Sequence, residues 1–350
     1  MARVAVIAGD GIGKEVIPAG IQVVKKAAAA CGAQVELVEF PWGCDFYRAH
    51  GRMMHEDGFE RLKEFDAIYL GAIGDPSVPD HISVWQLILP IRQRFEQYVN
   101  LRPMRLVAGA TTPLAGRGPA DIDMVCVREN SEGEYAGIGG RLHAGTPNDI
   151  AQQVSVMTRR GIERIARYAF EVATKRPRKL LASATKSNAL QYTMVLWDEV
   201  LDEVGKDYPS VSWRKYHVDA LVARMVTDPG SMDVIVASNL FGDILTDLGA
   251  AVSGSLGIAP SGNINPERRY PSMFEPIHGS APDIAGKGIA NPIGAVWAGA
   301  LMLDHLGARD GHDLIVGAIE RVLAGGPRTP DLGGKAGTSD VTKAILGELK

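Results

Sequence analysis

Two aspartates four residues apart, Asp243 and Asp247, stand in the stretch DVIVASNLFGDILTDLGAAVSGSLGI at 233–258. On a helix this spacing puts both carboxylates on one face, where like charges destabilise unless a cation lies between them. A hard divalent ion, taking carboxylate oxygens plus waters or substrate oxygens, would satisfy them. The alternative is a pair of solvated acids on an exposed face. The setting favours the ion. Val234–Ala237 is a wholly apolar run of the kind a strand buried on both faces shows, and Ser238 and Asn239 offer capping oxygens to the helix that follows. A glycine-rich GSLGIAPSG comes next, and open α/β sheets place their ligands at such strand ends.

Three arginines, Arg92, Arg102 and Arg128, end separate elements. A guanidinium fork holds a carboxylate bidentately and stays charged, which suits a dicarboxylate ligand. Lys186 ends the strand-like KLLASATKSN, Tyr135 lies in EGEYAG, and Asp219 lies in KYHVDALVARMV. Gly9, Gly11 and Gly13 form G-x-G-x-G, but Lys14 stands where a dinucleotide fingerprint needs its third glycine. A tight strand-to-helix turn is the better reading of them.

The elements that must position these groups alternate between short strands and helices, which argues an α/β fold. RVAVIAGDGIGKEVIPAGIQVVKKAAAA reads as strand, turn and helix, and VELVEF and DAIYLGAIG read as strands. A helix is placed from Pro90, because proline's missing N–H costs nothing at the first helical position. Residues 136–158 form a glycine-rich arm whose Ile150, Val154 and Val156 cannot bury themselves, and it reads as a dimer clasp. At 350 residues the chain is long enough for two domains. A net charge of −4 argues against nucleic acid or an anionic membrane as partner. Cys31, Cys44 and Cys126 lack metal-ligand spacing and read as reduced thiols of a cytoplasmic protein. No signal-peptide pattern and no apolar run near the ~20 residues of a membrane span is present.

NLFGDILTDL followed by GSLG resembles the signature of the metal-dependent β-decarboxylating dehydrogenases, the family of the isopropylmalate, isocitrate, homoisocitrate and tartrate/D-malate enzymes. The likeness extends through GDGIG near the start, NLRP around Arg102, VRE around Arg128, ATKSN around Lys186, and HGSAPD and IANP within 278–292. It implies an isopropylmalate-dehydrogenase-like two-domain fold, with mixed sheets flanked by helices and no Rossmann fold. Domain 1 would be discontinuous, 1–97 and 254–350, with domain 2 at 98–253. The resemblance implies that Arg92, Arg102 and Arg128 clamp the substrate carboxylates and that Asp219, Asp243 and Asp247 bind Mg²⁺ or Mn²⁺. Lys186 and Tyr135 match the family's proton-transfer pair. NAD would meet Ile12, Leu256, Gly257, His278, Gly279, Ala281, Asp283, Ile284 and Asn291. A homodimer is implied, with Lys186 and Asp219 reaching the partner's site, and a requirement for K⁺ is left open.

Within that family two positions depart informatively. Trp85 and Gln86 stand where isopropylmalate members carry a glutamate seven residues before the clamp arginine and isocitrate members a serine six before it. An indole pointing inward leaves room for little beyond hydrogen or hydroxyl at C3, the substituents of malate and tartrate. At Asp283 and Ile284 the NADP-dependent members carry lysine and tyrosine, so NAD is expected. The expectation is therefore oxidation of tartrate and/or D-malate. Oxidation of 3-isopropylmalate or homoisocitrate, and a non-catalytic nucleotide-binding protein of the same fold, are the alternatives.

Overall fold

A computed structural model describes residues Met1–Lys350. In chain order the strands are β1 Ala2–Gly9, β2 Val35–Glu39, β3 Ala67–Ala72, β4 Val99–Arg105, β5 Asp123–Glu129 and β6 Gly139–Leu142. There follow β7 Ile150–Gln153, β8 Leu180–Thr185, β9 Ser212–His217, β10 Val234–Ala237, β11 Pro260–Ile264 and β12 Ser272–Pro276. Ten of them form one mixed sheet in the order β2-β1-β3-β12-β11-β4-β5-β10-β8-β9, and β6 pairs only with β7. Parallel blocks at either end meet through antiparallel β12-β11-β4-β5 pairings at the centre. Late strands β11 and β12 thus lie between early ones. The expected mixed α/β architecture is what forms.

Local sequence accounts for much of this. β3 (AIYLGA) and β10 (VIVA) are buried along their whole length, as continuous apolar runs in parallel pairings should be. The helix Arg159–Lys175 starts at Thr158, whose hydroxyl accepts the Gly161 N–H at 2.9 Å. On one half of the sheet the core gathers around the helices Gly13–Ala30 and Ile293–His305. On the other it gathers around Arg159–Lys175 and Thr193–Gly205.

The helix expected from Pro90 begins earlier, at Asp80, and continues to Arg94 through a π-turn at Val84–Ile88. In a regular helix Pro90 would lose a hydrogen bond and collide with the carbonyl four residues back. The wider turn before it, closed by the Leu89 N–H on the Val84 carbonyl, lets the helix carry the proline. Trp85 and Gln86 fall inside this π-turn.

The arm is a two-stranded ribbon, Gly139 opposite Gln153 and Leu142 opposite Ile150, with all eight strand residues exposed. Ile138, Leu142, Ile150 and Val154 stay open to solvent in the single chain. All three cysteines are free. No helix is long and apolar enough to cross a membrane.

Candidate active site

One carboxylate stands among three buried guanidinium groups. Arg102 and Arg128 come from the antiparallel neighbours β4 and β5, and Asp243 comes from the helix Asn239–Val252. Asp243 Oδ1 accepts from Arg128 Nη1 at 2.5 Å and from Arg102 Nη1 at 3.3 Å. Arg92, on the helix with the π-turn, donates from Nη2 to Glu275 Oε1 of β12 at 2.7 Å, and Asn263 Nδ2 binds the same oxygen at 2.7 Å. Arg92, Arg102 and Arg128 are 8%, 5% and 3% exposed, so three nearly buried cations are shared between two carboxylates. Burial, then repulsion from Arg102, pushes the Arg128 guanidinium down to about 9, and burial also lowers Arg102. A bound dianion would relieve that repulsion. Burial acts to raise the Asp243 carboxyl, but Arg128, Arg102 and Arg92 outweigh it and hold it below its ordinary range.

The NLFGD sequence makes this contact possible. A Cβ on Gly242 would come 2.5 Å from Arg128 Cγ, so only glycine lets the arginine stem lie against the helix. Neither Ser238 nor Asn239 caps the helix by its side chain, contrary to the expectation. Asn239 serves Arg128 instead: its Oδ1 accepts from Nε at 3.1 Å and Nη2 at 2.8 Å, while its Nδ2 donates to the Glu132 carbonyl at 3.2 Å. Thr246 Oγ1 holds Arg102 Nη1 at 2.7 Å.

Asp247 lies one turn beyond Asp243, at the exposed edge. Desolvation, then the Asp243 charge, raises its carboxyl, which is the like-charge strain that the spacing implies. Asp219 is not with them. Its Oδ1 accepts from Lys186 Nζ at 2.7 Å, and this hydrogen bond lowers its carboxyl. No three His, Cys, Asp or Glu side chains of the single chain come together as a metal-binding group. Asp243 and Asp247 offer the hard oxygen donors that Mg²⁺ or Mn²⁺ takes. Further ligands would have to come from substrate, water or another copy of the chain.

Tyr135, in the short turn Glu134–Ala136, brings its hydroxyl within 3.5 Å of Asp243 Oδ2, and its ring lies 5.9 Å from the Arg128 guanidinium. Burial, then Asp243, raises the phenol, so it keeps its proton at neutral pH. Gln93 Nε2 donates to the Tyr135 carbonyl at 3.2 Å, which ties this turn to the helix of Arg92. On that helix Trp85 is 38% exposed and leans on the root of the arm, where a Cβ on Gly137 would meet its ring at 2.9 Å.

The nucleotide-loop candidates are tied together by contacts from the first glycine turn and from Asp331. Gly11, at φ +51°, packs so closely that a Cβ would sit 2.0 Å from the Ser280 carbonyl, and the Ile12 N–H donates to that carbonyl at 2.9 Å. The glycine turn is thus tight, as read, and also seats the loop carrying His278, Gly279, Ala281, Asp283 and Ile284. Ser255 Oγ accepts the Gly257 N–H at 2.9 Å and donates to Asp331 Oδ2 at 2.6 Å. Asn291 Nδ2 reaches the same oxygen at 3.0 Å, and its Oδ1 takes the Ile293 N–H at 3.0 Å, so its amide is engaged within the chain. Leu256 is exposed between these contacts. Burial lowers the His278 imidazole, whose Nε2 is buried without a partner. Ala281 adopts φ +42°, unusual for a non-glycine residue. Asp283 is exposed.

Sequence reasoning did not single out Asn239's service to Arg128, Thr246, Asn263 or Glu275. The one available signal for Glu275 was an acid inside SMFEP, a strand buried throughout, because a buried charge requires a partner.

The sequence profile of the isocitrate/isopropylmalate dehydrogenase family matches residues 3–345. D-malate dehydrogenase [decarboxylating] of Escherichia coli (strain K12) is 55% identical over 350 residues, covering 98% of this chain and 97% of the relative. Tartrate dehydrogenase/decarboxylase of Pseudomonas putida is 54% identical over 355 residues, covering 99% and 97%. Among solved structures, isocitrate dehydrogenase from Methylococcus capsulatus superposes with a TM-score of 0.91 at 35% identity, covering 100% of this chain and 99% of that one.

Proposed function

The chain belongs to the isocitrate/isopropylmalate dehydrogenase family and is an oxidoreductase related to decarboxylating dehydrogenases, and from that premise we propose that it oxidises tartrate and/or D-malate with NAD and a divalent metal, decarboxylating where the substrate allows. The observation that carries this reading is the set of three buried arginines around Asp243, whose uncompensated positive charge suits a dicarboxylate. Those arginines hold and orient the substrate carboxylates. Asp243 and Asp247 would hold Mg²⁺ or Mn²⁺, which would supply positive charge at the substrate's 2-oxygen, and NAD would supply the hydride acceptor. Lys186 takes the proton of the 2-hydroxyl, and Tyr135, kept protonated by burial, returns one to C3 after carbon dioxide leaves. Asp283 accepts from the adenosine ribose diol and repels a 2′-phosphate.

Lys186 and Asp219 act, in this reading, in the site of a second copy. Their pairing with each other, away from Asp243, supports it. So do the exposed Ile138, Leu142, Ile150 and Val154 of the arm, since an isolated two-stranded ribbon is marginal in water. Ile244 and Val226, exposed on the helices that carry Asp243 and Asp219, offer further apolar surface to a partner. A division into 1–97 with 254–350 and 98–253 is proposed with it, supported by the separate apolar clusters on the two halves of the sheet. The test is NADH formation with Mn²⁺ on D-malate, L- and meso-tartrate, and 3-isopropylmalate. Turnover of D-malate or a tartrate is the expected result. Turnover of 3-isopropylmalate alone, or of none, overturns the assignment.

A further inference from the structure

We propose that Asp198 is a positioning residue, a single buried carboxylate that keeps the turn carrying Lys186 in register with the strand leading to Asp219. The inference rests on the reading of Lys186 and Asp219 given above. Asp198 lies on the helix Thr193–Gly205 and is 7% exposed. Its Oδ2 accepts from Ser187 Oγ at 2.7 Å and from Lys215 Nζ at 3.0 Å. Ser187 follows Lys186 directly, and Lys215 sits on β9, shortly before Asp219. β8 and β9 are parallel neighbours with Ser183 opposite Lys215 and Thr185 opposite His217. One oxygen therefore joins the two chain segments that deliver the Lys186–Asp219 pair.

The rest of the turn is built to the same end. The Lys186 carbonyl accepts the N–H groups of Ala189 at 2.9 Å and Leu190 at 2.8 Å, and Thr185 Oγ1 accepts the Ser187 N–H at 3.2 Å. These bonds fix the backbone of Lys186, and a long flexible side chain is placed only as well as its backbone. Asp198 is a poor choice for stability alone. Its Oδ1 is buried without a partner, and Trp197, Val200 and Leu201 around it on the helix are apolar and buried. A buried charge with an unsatisfied oxygen is no more stabilising than a well-packed apolar residue. What it contributes is geometry.

The test measures kcat, KM for substrate and NAD, and Tm in D198A, D198N, S187A, S187T and K186M. D198A is expected to lower kcat ~10-fold, short of the ~100-fold that an ångström of misplacement can cost, with KM for NAD unchanged. D198N, which still accepts the Ser187 hydroxyl but loses the Lys215 charge pair, falls in between. S187T, which keeps the hydroxyl, recovers most of what S187A loses, and the double variant S187A/D198A is no worse than D198A, which already breaks the Ser187 contact along with that to Lys215. A folded D198A with wild-type kcat overturns the proposal, as does a loss that follows Tm and is not relieved by D198N. Should D198A fail to fold, wild-type kcat in S187A overturns it. K186M separates the two layers: inactive K186M beside fully active D198A removes only the positioning role, whereas active K186M removes the reading of Lys186 beneath it.

Discussion

The Arg92–Arg102–Arg128 cluster and the Lys186–Asp219 pair are both built from charged side chains but are held in opposite ways. The arginines are buried, and every one is anchored by a residue of another element: Arg92 by Glu275 of β12, and Arg102 and Arg128 by Thr246, Asn239 and Asp243 of the helix packed on their strands. Lys186 and Asp219 sit at the open edge and neutralise one another, with the Asp219 side chain 68% exposed. A buried ion pair that loses a partner leaves a stranded charge, whereas an exposed pair is solvated when broken. The first region is thus finished inside one chain, and the second is available to be used elsewhere.

The two regions should differ most at Glu275. Glu275→Ala strands the buried Arg92 and should cost about 3–5 kcal/mol of stability by denaturant unfolding. Asp219→Asn should leave the unfolding midpoint where it is while abolishing turnover. Equal destabilisation by the two would erase the distinction between the regions.

A somewhat smaller effect is expected at Asp243. With Mn²⁺ at about a hundred times its Kd, the wild type should gain about 2.7 kcal/mol from ligand binding. Asp243→Asn should lose that gain, read as a Tm that no longer responds to the metal, together with its turnover. A Tm that rises equally in both proteins would remove Asp243 from the metal site.

Trp85 sharpens the picture at the rim of the buried region. Trp85→Ala opens space next to the arginine helix, and a methylene in an apolar pocket is worth roughly 1–3 kcal/mol. Activity on longer 3-alkylmalates relative to D-malate should therefore rise at least several-fold. An unchanged ratio in the folded variant means that Trp85 only packs under the arm, where its ring leaves no room for a Cβ on Gly137.

Legibility followed the same division. Residues set by long local patterns, such as Asp243 and Asp247 on one helix face or the glycine turn at Gly11, could be read from spacing and turn chemistry. Arg102 and Arg128 stood out only through their motifs, because neighbouring antiparallel strands bring together positions that are far apart in the chain. Asn239, at the helix start, reads as a cap in the sequence, and the competing demand of Arg128 is a tertiary fact. Pro90 suggested a helix start, and the π-turn that carries it inside a longer helix has no local signature. Lys186 and Asp219 illustrate the remaining limit. Their motifs name them, but nothing local says that they lie paired with each other rather than grouped with Asp243 and Asp247.

If a complete site needs two chains, co-expression of K186M with D243N shows it most directly. Each variant alone should be inactive. A mixed dimer with shared sites joins the intact Asp243 of one chain to the intact Lys186 of the other. With random assortment about a quarter of the sites, and so about a quarter of wild-type activity, should return. Mixed dimers confirmed by tag purification that show no activity above either parent would contradict the shared site and place the whole chemistry within a single chain.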